Sequence, residues 1–160
     1  MRFPRALAAL AIAVAVGASL ASCSTTVAVP APTHADDPKC ADVIVSLRSV
    51  QTLADTFDRV WTDSQSTAAW GSPTAVILAC GVTPVVASTF PCQTVGGIDW
   101  VIDNSDPKYY RVTTFDRDPA VQVFIDLQQV GDAGAVLDRL SKSVSNLPKN
   151  TLSCTARPTS

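Results

Sequence analysis

The 160-residue chain contains no glutamate; all 14 of its acidic residues are aspartate. Histidine occurs once, as His34, inside a proline-rich stretch. That scarcity leaves a Ser-His-Asp or Cys-His mechanism without its usual base and removes the commonest neutral metal ligand. No C-x-x-C pair occurs, so a zinc ribbon or a thioredoxin-type redox site has no support. No G-x-S-x-G, no phosphate-cradling glycine loop and no dinucleotide fingerprint is present. The reading is therefore no catalytic residue, no metal and no cofactor. Basic runs are missing too: 12 Lys+Arg stand against the aspartates for a formal charge of −2, and nucleic-acid binding lacks its electrostatic footprint. Aspartate favours caps and turns over helix interiors, so most of the 14 read as local structural devices.

A membrane-spanning run is also missing. The uncharged stretch from Ala6 to Leu20 falls short of the ~20 residues a bilayer requires. It follows the basic segment Met1-Arg2-Phe3-Pro4-Arg5 and ends in small residues, the order of an export signal. Its last piece, Leu20-Ala21-Ser22-Cys23, resembles the bacterial lipobox. The resemblance implies a diacylglyceryl group on the Cys23 thiol, cleavage just before it, and a lipid anchor on the outer face of the cytoplasmic membrane. Several acyl chains hold far more firmly than one, at about 0.8 kcal/mol per buried CH2. The expected organisation is a signal peptide over 1–22, the lipidated cysteine and a Pro/Thr-rich tether over 23–37, and one domain over 38–160. Losing Arg2 and Arg5 with the signal takes the formal charge from −2 to −4.

The stretch from Ser24 to Lys39, with its prolines and threonines, lacks what a packed core needs. Extended, it would reach about 50 Å from the membrane at ~3.1 Å per residue. Asp37-Pro38 opens a helix as N-cap and first helical residue. Cys40, Ile44, Leu47, Val50 and Ala54 continue it at helical spacing to about Thr56. Thr74 to Cys80 is apolar on both parities, as in a strand covered on both faces. Val82 to Gly97 reads as a long loop. Strands are expected at Ile98–Asp103, Tyr109–Phe115 and Ala120–Asp126, the last two as a hairpin. Asp132 caps a second helix whose apolar stripe runs through Val136, Leu140, Val144 and Leu147 until Pro148 stops it. The fold class is α+β: an antiparallel sheet of about four strands with both helices on one face.

With Cys23 assigned to lipid, Cys40, Cys80, Cys92 and Cys154 remain, an even set that outside the cytoplasm reads as two disulfides. Three pairings are open. A hairpin around Cys80 and Cys92 would join those two, leaving Cys40 and Cys154 to tie the domain's ends together.

Ala68-Ala69-Trp70-Gly71-Ser72-Pro73, Cys80-Gly81-Val82, Pro91-Cys92, Val95-Gly96-Gly97-Ile98-Asp99-Trp100 and Arg117-Asp118-Pro119 recur in this order along the chain. The combination resembles a family of small exported actinobacterial proteins, domain of unknown function 3515. That resemblance implies an envelope protein with two disulfides and supplies no activity or catalytic residues.

Paired aspartates are the only acid–base candidates: Asp99 with Asp103 on one strand parity, and Asp116 with Asp118 around Arg117. Beside turns, they read as solvent-facing. Trp61, Trp70, Trp100, Tyr109 and Tyr110 are amphipathic enough to line a groove for a glycan or peptide, with core packing as the plainer reading. The candidate binding surface is Trp70, Asp99, Trp100, Arg117 and Asp118; its plainer reading is packed tryptophans and an Arg117 paired with Asp116 or Asp118. The leading function is a lipid-anchored binding or scaffold module, its partners being the membrane and an envelope protein, cell-wall glycan or lipid. The alternative is an extracytoplasmic hydrolase using Asp99 or another aspartate.

Overall fold

The computed structural model describes residues 26–154. The signal peptide and Cys23 lie outside the described residues. Helix α1 spans Pro38–Ser46, followed by a 3-10 turn at Leu47–Ser49. Eight strands follow: β1 Thr52–Leu53, β2 Phe57–Val60, β3 Thr67–Trp70, β4 Val76–Val82, β5 Cys92–Val95, β6 Ile98–Asp106, β7 Tyr109–Thr114 and β8 Ala120–Asp126. Helix α2, Ala133–Val144, comes last. The α+β class and the antiparallel sheet match expectation, but the strand count is eight, not four. The sheet is open, in the order β1-β2-β3-β4-β8-β7-β6-β5.

Residue pairing sorts the side chains by face. Val76, Leu78 and Cys80 of β4 pair with Ile125, Val123 and Val121 of β8. Val123 pairs onward with Val112, and Val112 with Ile102. These residues share one face with Trp70 and Trp100, and Cys40, Val43, Val136, Leu140 and Val144 of the helices join them in a single core. Both helices lie on that face, as expected. The opposite face carries Ile77, Ala79, Gln122 and Phe124, all only half-buried. β4 is thus covered on one side, and its uninterrupted apolar run does not signal two-sided burial.

Helix α1 ends well before Thr56. Asp37 caps it by accepting from the Lys39 N–H at 2.8 Å. The β-branched run Val43-Ile44-Val45 is a weak helix former. Ser49 Oγ then bonds the Ser46 carbonyl at 2.9 Å and favours the tighter turn. β1 and β2 follow as a small hairpin turned by Ala54 and Asp55, both left-handed (φ 49° and 53°).

The expected loop from Val82 to Gly97 contains β5, paired with β6 through a two-residue turn at Gly96 and Gly97. Both glycines have positive φ (57° and 76°), as a type I′ turn requires. At Gly96 a Cβ would also stand 2.6 Å from Ser141 Cβ of α2.

The disulfides are Cys40–Cys80 and Cys92–Cys154, each with Cα atoms 5.5 Å apart. This corrects the expected Cys80–Cys92 and Cys40–Cys154 pairing. β4 and β5 do not form a hairpin: β8, β7 and β6 stand between them, about 19 Å of sheet at ~4.8 Å per strand. Cys80 faces the helices, whereas Cys92 pairs with Val101 on the other face. Cys80 therefore meets the first turn of α1, and Cys92 meets the chain's C-terminal strap.

The stretch expected to stand off as a tether lies against the domain from Val27 onward. The Val27 N–H donates to the Trp61 carbonyl at 2.8 Å, and the Asp63 N–H donates to the Val27 carbonyl at 3.2 Å. Val29 is buried, and its N–H donates to Asp63 Oδ1 at 2.8 Å. Further on, the His34 N–H donates to the Gly81 carbonyl at 2.8 Å. Gly81 (φ 97°) permits that approach, since a Cβ there would stand 2.2 Å from the His34 oxygen.

Candidate functional site

The five residues of the expected binding surface do not form one. Trp70 and Trp100 are fully buried, on β3 and β6 with three strands between them. Trp70 pairs with Val76 at one end of the sheet, Trp100 with Thr114 at the other. Trp70 Nε1 donates to the Val50 carbonyl at 3.0 Å, whereas Trp100 Nε1 has no hydrogen-bond partner among the described residues. Asp118 alone is exposed.

Asp99 and Arg117 do come together, but as an internal latch. Both are buried (7% and 6% exposed), not solvent-facing. Asp99 Oδ1 accepts from Thr94 Oγ1 at 2.6 Å. Asp99 Oδ2 accepts from Lys149 Nζ at 3.0 Å and from the Cys154 N–H at 3.3 Å. Burial pushes the Asp99 carboxyl up; the bonds from Thr94, Lys149 and Cys154, with the Lys149 charge, outweigh it and hold the group below its ordinary value. Arg117 donates to the Leu147 carbonyl rather than pairing with Asp116 or Asp118. Burial lowers its proton affinity, and the Asp99 charge raises it. Asp116, also buried, accepts from the Leu152 N–H at 2.6 Å and from Asn150 Nδ2 at 3.3 Å. With the Cys92–Cys154 bridge, these groups fasten residues 147–154 to the sheet end. A carboxylate held ionised, its oxygens already engaged, is a poor general acid, which needs a raised value. Asp103 is held below its ordinary value chiefly by the side-chain and backbone bonds from Ser105.

A concave site among the described residues lies elsewhere. A cleft of about 600 Å³ opens between the end of α1 and the β2–β3 loop, lined by Ile44, Arg48, Gln51, Arg59, Trp61 and residues 62 and 64–67. Arg59, across from Trp70 in the sheet, sets its guanidinium 5.8 Å from the Trp70 ring centre and donates to the Leu47 carbonyl at 2.8 Å. Burial lowers its proton affinity, as does the neighbouring charge of Arg48. Arg48 is exposed, and among the described residues neither arginine has an ion-pair partner. Among the described residues no carboxylate is in the lining; Asp63 of the same loop accepts from the Val29 N–H at 2.8 Å. Its hydroxyls are spent on structure: Ser64 Oγ donates to the Val29 carbonyl, Ser66 Oγ to the Ala35 carbonyl and Thr67 Oγ1 to the Ser64 carbonyl. Trp61 stands at the rim, 76% exposed.

The arrangement offers one fixed and one free guanidinium beside an unburied indole, a donor set for an anion carried on an amphipathic body. Sequence reasoning had Trp61 among its aromatics and missed both arginines. Arg48 lies in the 3-10 turn and Arg59 on β2, on opposite sides of the β1–β2 turn, and they share no motif. The one visible signal nearby is that Trp61 is followed by the polar run Thr62–Thr67, which offers no apolar residue to bury it. No curated protein and no solved structure matches the chain at a significant level. The chain belongs to the family described as Protein of unknown function (DUF3515), whose model matches residues 5–152.

Proposed function

We propose that the protein is a lipid-anchored binding module of the cell envelope, held through acylated Cys23 on the outer face of the cytoplasmic membrane, with the Arg48–Arg59–Trp61 cleft as its binding face. The observation that carries the reading is the cleft itself: two cationic forks without carboxylate partners among the described residues and an exposed tryptophan, in a chain that is acidic overall. Two disulfides suit an oxidising compartment. The rival, an extracytoplasmic hydrolase using Asp99, needs a carboxyl whose proton is available near neutral pH. Asp99 is instead held ionised and bonded to the C-terminal strap.

Intact-mass analysis of the membrane fraction tests the anchor. A chain beginning at a diacylated Cys23 is the expected result, and Cys23→Ala should lose the lipid. An uncut chain with an unmodified Cys23 thiol contradicts the reading.

A further inference from the structure

We infer that the Arg48–Arg59 cleft takes the phosphate of an anionic phospholipid headgroup from the same bilayer that holds the anchor. The inference rests on the anchoring reading above and adds the ligand.

Placement argues for it first. Val27 is bonded to Trp61 on the cleft's rim and to Asp63 two residues on. Cys23 lies four residues earlier in the chain. Four residues span at most about 14 Å even when fully extended. An acylated Cys23 therefore holds the rim close to the headgroup layer, where a freely extended tether would have allowed about 50 Å. Trp61, 76% exposed at that rim, has the amphipathic ring that settles at the membrane–water interface.

Charge and shape argue next. An acidic protein near an anionic surface is repelled unless it turns a cationic face toward it. Among the described residues the cleft lining carries two arginines and no carboxylate, Asp63 of the same loop being bonded to the Val29 N–H. Arg59 is pre-positioned by the Leu47 carbonyl and the Trp70 ring, with donors left over, while exposed Arg48 is free to close on a ligand. Planar guanidinium forks match the paired oxygens of a phosphodiester. About 600 Å³ accommodates a glycerophosphate headgroup.

Trp70 and Trp100 are fully buried, so an exposed-tryptophan signal reports Trp61. The acylated protein is reconstituted in nanodiscs of phosphatidylcholine containing rising fractions of phosphatidylglycerol, at constant content of brominated acyl chains, and Trp61 quenching is followed. Quenching should rise with phosphatidylglycerol and fall with added salt. Arg48→Gln, at an exposed side chain, should leave melting unchanged. It should raise the phosphatidylglycerol fraction for half-maximal quenching about 5-fold, equivalent to ~1 kcal/mol per basic side chain near the surface. Equal quenching in pure phosphatidylcholine, or none in either lipid, overturns the inference. A Trp61 shift on adding soluble glycerophosphate, lost in Arg48→Gln and without any phosphatidylglycerol effect, also overturns it in favour of a soluble ligand. Intact mass on the same sample separates the two readings. An unmodified Cys23 sinks the anchor and the inference with it, whereas an acylated chain indifferent to phosphatidylglycerol sinks the inference alone.

Discussion

Lys149 Nζ lies 3.0 Å from Asp99 Oδ2, joining the C-terminal strap to the second residue of β6. The two partners differ in setting: the Lys149 side chain is 40% exposed and Asp99 is 7% exposed. An exposed ion pair adds little by itself. Here the carboxylate also accepts from Thr94 and from the Cys154 N–H, so the latch works through a buried anion whose acceptor sites are filled.

Because folding lowers the Asp99 carboxyl, its contribution is complete above the unfolded value of about 4 and is lost as pH falls through the folded value. Asp99→Asn should cost about 1.5–3 kcal/mol at neutral pH, the range for hydrogen bonds to a charged group. The gap between wild type and variant should stay constant from about pH 8 to 5 and close below about pH 4. Melting across that range checks it, and a gap that widens in acid rejects the latch.

Non-reducing peptide maps should yield Cys40–Cys80 and Cys92–Cys154. The bridges close loops of 40 and 62 residues in sequence separation, each worth about 4 kcal/mol in the chain-entropy model. Replacing both members of either pair by serine should lower stability on that scale, measured by urea unfolding.

Gly81→Ala should unseat the N-terminal segment. A Cβ there meets the His34 carbonyl at 2.2 Å and forces a side-chain residue to φ 97°. A cost of at least about 1–2 kcal/mol is expected from the backbone conformation alone. Amide hydrogen exchange should accelerate at His34 first, whose N–H is bonded to the Gly81 carbonyl. Unchanged protection there would show that the segment is not held by this contact.

Trp61→Ala and Trp100→Ala should separate surface from core. Trp100 is fully buried, and its removal should cost about 3–5 kcal/mol. Trp61 is 76% exposed, and its removal should change stability by less than about 0.5 kcal/mol. Thermal melts of the two variants decide it.

The parts of the fold legible in the sequence were those whose signal is local. Asp37-Pro38 and Asp132 start helices because capping chemistry acts within three residues, and both caps stand as read. The β7–β8 hairpin follows from alternation on either side of a turn. The missed elements depend on residues distant in sequence. β5 is short and half-exposed, and its sign was the Gly96-Gly97 pair, a two-residue hairpin turn. The Ala54-Asp55 turn adopts left-handed backbone without glycine or asparagine, which no composition rule reveals. The cysteine pairing failed because chain order does not give sheet order once β4 pairs with β8. The candidate site was hidden for the same reason. Arg48 and Arg59 face one cleft because the β1–β2 hairpin returns Arg59 to the Leu47 carbonyl beside Arg48, whereas conspicuous Trp70, Trp100 and Arg117 are buried.

The most direct test of the cleft as the functional face is photo-crosslinking in intact cells from a photoreactive aromatic residue placed at Trp61 or, as control, at exposed Asp118 beside the latch. The account predicts phospholipid adducts from position 61 and none from position 118. Adducts from position 118 alone, or equal yields from both, would contradict it.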